Sequence, residues 1–356
     1  MKQTLYRRPL PAEAIAFSSP AGRELFAEAL AAGGLDGYFP LAEQFHTQSD
    51  PAFCGLGSLV VALNALAIDP QRLWKGPWRW FSEDLLDCCV PHEQVRARGL
   101  DLDELACLAR CNGAEVDAFR SGGASQARWR AALAMAASGE AVIVASYDRS
   151  ALAQTGSGHF SPIGGYHAAR DLALVLDVAR FKYPPHWVPA ERLYLAMHPV
   201  DPSTGLSRGW IELRRRAGAG GLGFSVSCVG ASWPGLARSL NAVTAELAAA
   251  SSTEALARKV LPLVVHIEVR AASETAHRDA LSATRAAVHA CAAYPAVLAA
   301  VGAEHAEVVT VLLHAIADRL TAEQREALGE LHGTLVPELD SLRAQLEALS
   351  ATSYRS

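Results

Sequence analysis

The sequence predicts an α+β domain over residues 1–216, with a helical half and an antiparallel sheet half, followed by an all-α region over residues 232–356. In the first part, segments with helical periodicity come early and apolar, strand-like runs come later, as expected when helices and a sheet segregate. A glycine-rich stretch after three consecutive arginines predicts a linker over residues 217–231. Beyond the linker, alanine, leucine and glutamate recur at helical spacing.

Four helices and four strands are predicted in the α+β part. Apolar residues at helical spacing predict helices at residues 22–32, 54–66, 101–111 and 126–137. Apolar runs bounded by turn residues predict strands at residues 141–147, 159–166, 172–179 and 209–213. The helix at 54–66 is expected to be buried along one apolar stripe. Trp74, Trp78 and Trp80 are expected to pack a long loop onto the domain.

Composition limits the classes of function. The chain has 356 residues, of which 51% are hydrophobic, so it is long enough to bury the cores of two domains. Its formal net charge of −5 argues against nucleic acid as a partner. The 7 cysteines, without a secretion signal, are expected to be reduced thiols.

The chain is expected to be cytoplasmic and not to bind a membrane, because no targeting segment is evident. The most apolar stretch, residues 286–303, is interrupted by His289 and Pro295. Since a membrane-spanning helix needs about 20 apolar residues, this stretch is interpreted as a buried helix. A homodimer is left open.

Cys54 is the first candidate for chemistry. It follows Pro51 and precedes Gly55, so a turn should open directly into the predicted helix at this thiol. The positive end of a helix dipole favours the thiolate form. Gln48, six residues earlier, could return its amide to the cleft as an oxyanion donor. The alternative is that Cys54 is a small buried core residue.

His159 and Asp177 are the candidate partners of this thiol. His159 begins a glycine-flanked predicted strand, and Asp177 lies within an otherwise apolar run. A buried carboxylate requires a partner, and an imidazole that it orients can take a proton from a thiol. Asp177 could instead be a structural carboxylate bound to backbone. The order cysteine, histidine, aspartate, with glutamine first, is the papain-type order.

Long segments of the chain closely resemble the phytochelatin synthase family, a branch of the papain-like cysteine peptidase superfamily. They are LYRR at residues 5–8, FHTQSDPAFCGL at 45–56, LNALAIDP at 63–70, WKGPWRWF at 74–81, QTGSGHFSPIGGY at 154–166 and DVARFKYPPHW at 177–187. The resemblance covers about residues 5–215 and implies a papain-like catalytic domain there. It implies Cys54, His159 and Asp177 as the catalytic set, with Gln48 as oxyanion donor.

The activity that the resemblance implies is a two-step acyl transfer. Cys54 would cleave glycine from glutathione, form a γ-glutamylcysteinyl thioester, and pass that group to a second glutathione or a phytochelatin peptide. Heavy-metal ions such as cadmium, zinc or copper would act as activators or as thiolate complexes of the substrate, for metal detoxification, and no organic cofactor is implied. Two alternatives are a glutathione hydrolase with the same triad and a metal-buffering protein that uses its cysteines without catalysis.

The sequence also contains candidates for substrate and metal binding. Arg149, Arg180, Lys182 and Tyr183 could bind the carboxylates of glutathione, with Arg180 and Lys182 on one face of an extended strand; solvated surface charges are the alternative. The candidates for a soft-metal site are Cys88, Cys89, Cys107 and Cys111, although core cysteines would look the same. Only Cys228 and Cys291 lie beyond residue 216, so a thiol-rich metal sensor is not expected there.

Overall fold

The computed structural model of the protein describes residues 7–70, 74–87, 89–215, 224–226, 233–269, 275–329 and 335–351. Its α-helices, in chain order, are α1 (Pro20–Ala31), α2 (Tyr38–Gln44), α3 (Cys54–Ala65), α4 (His92–Arg98), α5 (Leu102–Cys111), α6 (Gln126–Ser138), α7 (Ala190–Ala196), α8 (Trp233–Leu247), α9 (Thr253–Val260), α10 (Thr275–His289), α11 (Tyr294–Val301), α12 (Ala303–Ala315), α13 (Ala322–Leu328) and α14 (Val336–Ala351).

The strands are short and fall mainly in the first 215 residues. They are β1 (Ile15–Ala16), β2 (Ala114–Arg120), β3 (Val142–Asp148), β4 (Gly158–His167), β5 (Leu172–Val175), β6 (His186–Pro189), β7 (Val200–Asp201), β8 (Leu206–Ser207), β9 (Gly209–Arg215), β10 (Phe224–Val226) and β11 (Ile267–Val269).

Seven strands form one sheet in the order β1-β6-β5-β4-β3-β9-β2. Every neighbouring pair in this sheet is antiparallel. The helices from α1 to α5 precede most of the strands, and α3 packs against β4 at the centre of the sheet. The predicted α+β class, with a helical half and an antiparallel sheet half, is therefore confirmed.

The central helix α3 is buried more completely than its sequence indicated. Every residue from Cys54 to Asn64 is buried, whereas a single apolar stripe was expected. A helix that is apolar on all sides is typical of a position inside the domain rather than on its surface. Gly55 lies close to Leu100, since a Cβ atom there would be 2.9 Å from Cδ1 of that side chain.

The predicted strand at 172–179 ends early, at Val175. Leu176 still donates its N–H to Pro162 O at 2.9 Å, but Asp177 accepts the N–H of Ala179 on Oδ1 at 2.9 Å. A short polar side chain that bonds to a nearby N–H competes with the strand ladder. Asp177 therefore lies just beyond the strand rather than within it.

Three exposed tryptophans correct another expectation. The exposed fractions are 40% for Trp74, 71% for Trp78 and 41% for Trp80, so these rings do not pack their loop onto the domain. The loop is anchored instead through Asn64, whose side chain exchanges two hydrogen bonds with the backbone of Phe81 at 3.0 and 3.1 Å.

The described part of the predicted helical region has seven helices, α8 to α14, together with a ribbon in which β10 pairs with β11. Of the predicted linker, only residues 224–226 are described, and they form β10 rather than open chain. Helix α14 packs against α5, and one hydrophobic core cluster contains residues of both regions. The helical region is thus joined to the α+β part by a shared core.

The apolar stretch at 286–303 is divided between α10, α11 and the start of α12. Among the described residues, no single helix has the length and hydropathy that a membrane crossing requires. The consecutive segments Ser282–His289 and Tyr294–Val301 meet those criteria only as a pair, across a bend of 92°.

Candidate active site

A turn places Cys54 at the first position of α3. Asp50 forms this turn, because its carbonyl accepts the N–H of Phe53 at 2.9 Å and its Oδ1 accepts the N–H of Ala52 at 2.9 Å. Arg96 holds the other carboxylate oxygen at 3.2 Å. The chain therefore turns directly before the thiol, as Pro51 and Gly55 predicted.

His159 lies in β4 opposite Tyr147 in β3, and the two rings meet edge to face with centroids 5.7 Å apart. Nε2 of His159 is 3.0 Å from Oδ1 of Asp177, whose side chain is fully buried. A carboxylate oxygen needs an N–H opposite it, so this contact favours the tautomer with the proton on Nε2. That tautomer leaves Nδ1 as the basic nitrogen.

Arg149 completes this buried group. Its Nη2 lies 2.9 and 2.8 Å from the two oxygens of Asp177 and 2.8 Å from Nε2 of His159. Its Nη1 donates to Oε1 of Gln154 at 2.6 Å, and its guanidinium lies 5.0 Å from the ring centroid of Tyr183. Sequence reasoning assigned Arg149 to substrate; the structure places it in the interior, against the candidate triad.

The thiol of Cys54 and the imidazole of His159 are both neutral in this site. Burial lowers the pKa of His159 to about 4, with the charge of Arg149 acting in the same direction. Burial opposes ionisation of Asp177, yet the hydrogen bonds and charges of His159 and Arg149 hold its pKa well below its usual range. Asp177 is therefore an anion that orients a neutral imidazole.

The pKa of Cys54 is raised by burial. Hydrogen bonds from the backbone of Phe160 and Gly55 and the positive charge of Arg149 act against this rise without cancelling it. The expected preference for thiolate at the start of α3 is thus outweighed by desolvation. Deprotonation must accompany the reaction and requires a base.

Cys54 and His159 line the same cavity, which has a volume of about 420 Å³. Its wall also contains Asp201 and Arg208, which sequence reasoning missed. Nη1 of Arg208 is 3.0 Å from Oδ2 of Asp201, and within the described part of the chain its buried Nε has no hydrogen-bond partner. In the sequence, Arg208 directly precedes the predicted strand at 209–213, but only the pairing of β9 with β3 brings it to the cavity.

Gln48 is buried beside the turn that precedes α3. Its Nε2 donates to the carbonyl oxygens of Asp50 at 2.7 Å and Pro51 at 3.0 Å, so both of its N–H groups are engaged. Its Oε1 is buried without a partner among the described residues. To act as an oxyanion donor, this amide would have to turn away from the backbone carbonyls.

The three remaining predicted substrate residues lie in a turn at 180–182 and just after it, not on an extended strand. Arg180 lies over the ring of Phe45 with 5.0 Å to the centroid, and Lys182 is partly exposed near Gly156. Tyr183 is buried, and its hydroxyl accepts the N–H of Thr155 at 2.8 Å. The expected alternation of Arg180 and Lys182 is wrong because the chain turns here.

The candidate metal cysteines are buried core residues where they are described. Sγ of Cys89 lies 3.2 Å from Sγ of Cys107, and Cys111 is a buried cysteine on the same helix as Cys107. Cys88 and Cys228 lie outside the described residues. Within the part of the chain that is described, no three His, Cys, Asp or Glu side chains are arranged to hold a metal ion.

Fold and site together define an α+β protein in which a cysteine at a helix N-terminus shares a cavity with a histidine held by an aspartate. The phytochelatin synthase family model matches residues 5–210, and the chain belongs to that family.

Three relatives illustrate the similarity. Glutathione gamma-glutamylcysteinyltransferase 1 of Triticum aestivum is 54% identical over 237 residues, which is 66% of this chain and 47% of the relative. The Arabidopsis thaliana protein of the same name is 51% identical over 239 residues, 67% of this chain and 49% of the relative. The Schizosaccharomyces pombe glutathione gamma-glutamylcysteinyltransferase is 43% identical over 214 residues, 60% of this chain and 52% of the relative. The chain thus spans about half the length of the relatives it matches.

Proposed function

We propose that this protein is a glutathione γ-glutamylcysteinyltransferase, an acyltransferase that makes phytochelatin peptides. The observation that carries the proposal is the cavity shared by Cys54 and His159, with His159 held by Asp177 at 3.0 Å. This arrangement suits attack of a thiol on a carbonyl carbon, and the names of the relatives supply the substrate.

The first half-reaction forms a thioester. Sγ of Cys54 attacks the carbonyl carbon of the Cys–Gly peptide bond of glutathione while Nδ1 of His159 takes the thiol proton. The imidazolium then returns this proton to the glycine nitrogen as the C–N bond breaks. Free glycine leaves, and the γ-glutamylcysteinyl group remains on Cys54.

The second half-reaction transfers this group to an amine. The α-amino nitrogen of another glutathione attacks the thioester, and His159 takes a proton from it. The C–S bond breaks, the sulfur of Cys54 recovers a proton, and a peptide longer by one γ-Glu-Cys unit is released. A neutral imidazole is required at the start of both half-reactions, which agrees with the pKa of about 4 at His159.

Arg208 and Asp201 suit the γ-glutamyl end of the donor. This end carries an α-carboxylate and an α-ammonium group, and the wall of the cavity presents one cation and one anion 3.0 Å apart. The Nε of Arg208, which has no hydrogen-bond partner among the described residues, can donate to a carboxylate, since a guanidinium presents several N–H groups in one plane. We therefore assign these two residues to donor recognition.

The acceptor enters from the side of Arg180 and Lys182. Lys182 is partly exposed, and burial together with the charge of Arg149 lowers its pKa. Its Nζ and the Cδ of Arg149 both lie close to Gly156. A glutathione acceptor brings two carboxylates to these cations. Occupation of this side by an amine rather than water would favour transfer over hydrolysis.

Heavy-metal ions enter this proposal as part of the substrate. The described residues contain no arrangement of three metal-ligating side chains, whereas glutathione thiolates bind soft ions such as cadmium, zinc or copper. A bis-glutathione thiolate complex would present several carboxylates to the cations at the acceptor side. The proposed role is heavy-metal detoxification in the cytoplasm, where cysteines remain reduced.

Incubation of the purified protein with glutathione and cadmium tests the proposal. Mass spectrometry should detect (γ-Glu-Cys)n-Gly peptides and, after brief exposure, a γ-glutamylcysteinyl adduct on Cys54. Cys54→Ser should abolish both products, whereas Cys291→Ser, a matched change at a buried cysteine of the helical region, should retain them. Glycine release without longer peptides would identify a hydrolase, and turnover by Cys54→Ser would refute a thioester at this position.

A further inference from the structure

The backbone around Arg149 fixes where its guanidinium can lie. Arg149 directly follows β3, and its N–H donates to Ser157 O at 3.0 Å while its carbonyl accepts the N–H of Gln154 at 2.9 Å. The side chain is only 3% exposed. The loop from 149 to 157 therefore closes over this residue and directs it inward, toward the group formed by His159 and Asp177.

The guanidinium is already held on two of its nitrogens and on one face. Nη1 donates to Gln154, Nη2 donates to both oxygens of Asp177, and one face lies against the ring of Tyr183. The described residues that line the cavity at Cys54 do not include Arg149. A carboxylate that approached Nη2 would have to displace Asp177, which would leave the displaced carboxylate buried without its partner.

Several titratable or charged groups face His159, and they come from different elements. Cys54 is on α3, Tyr147 is on β3, Arg149 follows β3, Asp177 follows β5, and Lys182 lies in the turn after Asp177. Nε2 of His186, on β6, lies 3.2 Å from Nε2 of Gln154, the residue that accepts a hydrogen bond from Arg149. Among the deeply buried members, Arg149 and Asp177 form a pair with opposite charges, so the imidazole rests against a carboxylate whose charge is already balanced.

The balance matters because Asp177 has two separable effects on His159. Its hydrogen bond fixes the ring and the tautomer, while its negative charge by itself would stabilise an imidazolium. Arg149 opposes the second effect and leaves the first intact. We propose that Arg149 is a positioning residue that holds Asp177 in place and keeps His159 neutral before each half-reaction, rather than a ligand for substrate carboxylates.

Three variants test this role. Arg149→Gln removes the charge, Arg149→Lys retains the charge without the planar fork, and Arg170→Gln removes a surface arginine that pairs with Glu28 outside the site. Histidine-selective NMR titration gives the protonation midpoint of His159, with its signal assigned by its loss in His159→Gln. Single-turnover glycine release gives the rate of the first half-reaction, and steady-state kinetics gives the KM of donor and acceptor.

For Arg149→Gln we expect the His159 midpoint to rise by about one pH unit or more, a tenfold or greater gain in proton affinity. The acid limb of glycine release should move to higher pH by the same amount. Arg149→Lys should keep the midpoint within a few tenths of a unit but slow glycine release about tenfold or more, because a single ammonium cannot hold both oxygens of Asp177. Arg170→Gln should change neither quantity.

An unchanged His159 midpoint in folded Arg149→Gln, with only the acceptor KM raised, would overturn the proposal and make Arg149 a substrate ligand. Should Arg149→Gln not fold, as judged by thermal unfolding, Arg149→Lys decides: slower glycine release at unchanged KM supports positioning, and a raised KM at an unchanged rate contradicts it. The kinetic readouts rest on the proposed acyl transfer. The NMR midpoint does not, so failure of the proposed function and failure of this inference can be told apart.

Discussion

His159 and Asp177 are 18 positions apart in the sequence and meet at 3.0 Å because β4 and β5 are antiparallel neighbours. Val175 at the end of β5 pairs with Ile163, and the chain then continues beside β4 through the hydrogen bond from Leu176 to Pro162. Two residues past the end of β5, the carboxylate of Asp177 reaches the imidazole. The geometry of a strand pair thus builds the contact on which the proposed chemistry depends.

Asp177→Asn should reduce the rate of glycine release by about 10²–10⁴-fold, because an amide can stabilise the wrong imidazole tautomer. It should also lower the free energy of unfolding by about 3–5 kcal/mol, since the charge of Arg149 would stay buried without its partner. Single-turnover glycine release and thermal unfolding measure the two effects. Asp117→Asn, which changes an exposed carboxylate paired with Arg214, serves as the control. A fully active Asp177→Asn variant would contradict an orienting role.

Acidification should destabilise the folded chain through His159. Its pKa is about 4 when folded, against about 6.5 in an unfolded chain, so the unfolded state binds the proton more tightly. The stability due to neutral His159 is complete above pH 6.5 and is lost as the pH falls toward 4, by about 3 kcal/mol in all. Denaturant unfolding at pH 7.5 and pH 4.5 measures this loss.

His159→Gln should show a smaller loss of stability between these two pH values than the unsubstituted protein. His314, whose pKa burial also lowers to about 4, contributes in the same direction in both proteins and cancels in the comparison. His198→Gln, at an exposed histidine, should leave the loss unchanged. An identical loss with and without His159 would show that this imidazole does not titrate as described.

Arg208→Gln should weaken binding of the glutathione donor more than it slows the chemistry. Loss of one hydrogen bond between charged groups corresponds to about 1.5–3 kcal/mol, or roughly a 10- to 150-fold increase in the donor KM. Initial rates of glycine release at varied glutathione concentration measure this change. The matched variant Arg192→Gln removes a surface arginine paired with Glu13 and should have no effect. A change confined to kcat would argue against donor recognition by Arg208.

Gly165→Ala should destabilise the strand that carries His159. A Cβ atom there would lie 2.8 Å from Gly34 O and would also overlap the side chain of Leu35. Forcing an extra methyl into such a contact typically costs 1–3 kcal/mol. Gly123→Ala is the matched control, because its Cβ would meet only Arg120 O at 3.9 Å. Thermal unfolding should separate the two variants by several degrees, and equal melting temperatures would show that this contact can relax.

Much of the fold could be predicted because short segments of the sequence indicate its helices and strands. The helix that begins at Cys54 and the strand that begins next to His159 both follow from side-chain periodicity and from the turn residues around them. Predictions failed where hydrogen bonding or burial that apolar periodicity does not report decides the conformation. The strand at 172–179 stops at Val175, and the chain at Arg180 turns instead of extending. Trp78 is exposed although its residue type favours burial.

The sequence by itself determined the candidate residues for the chemistry: a thiol at a helix start, an imidazole on a strand and a carboxylate in an apolar run. Only the tertiary structure decided their ionisation and their surroundings. Burial keeps Cys54 and His159 neutral, β9 brings Arg208 to the cavity, and Arg149 turns inward to balance the charge of Asp177. Proton affinity depends on desolvation and on charges within a few ångströms, and those neighbours come from strands that are far apart in the chain.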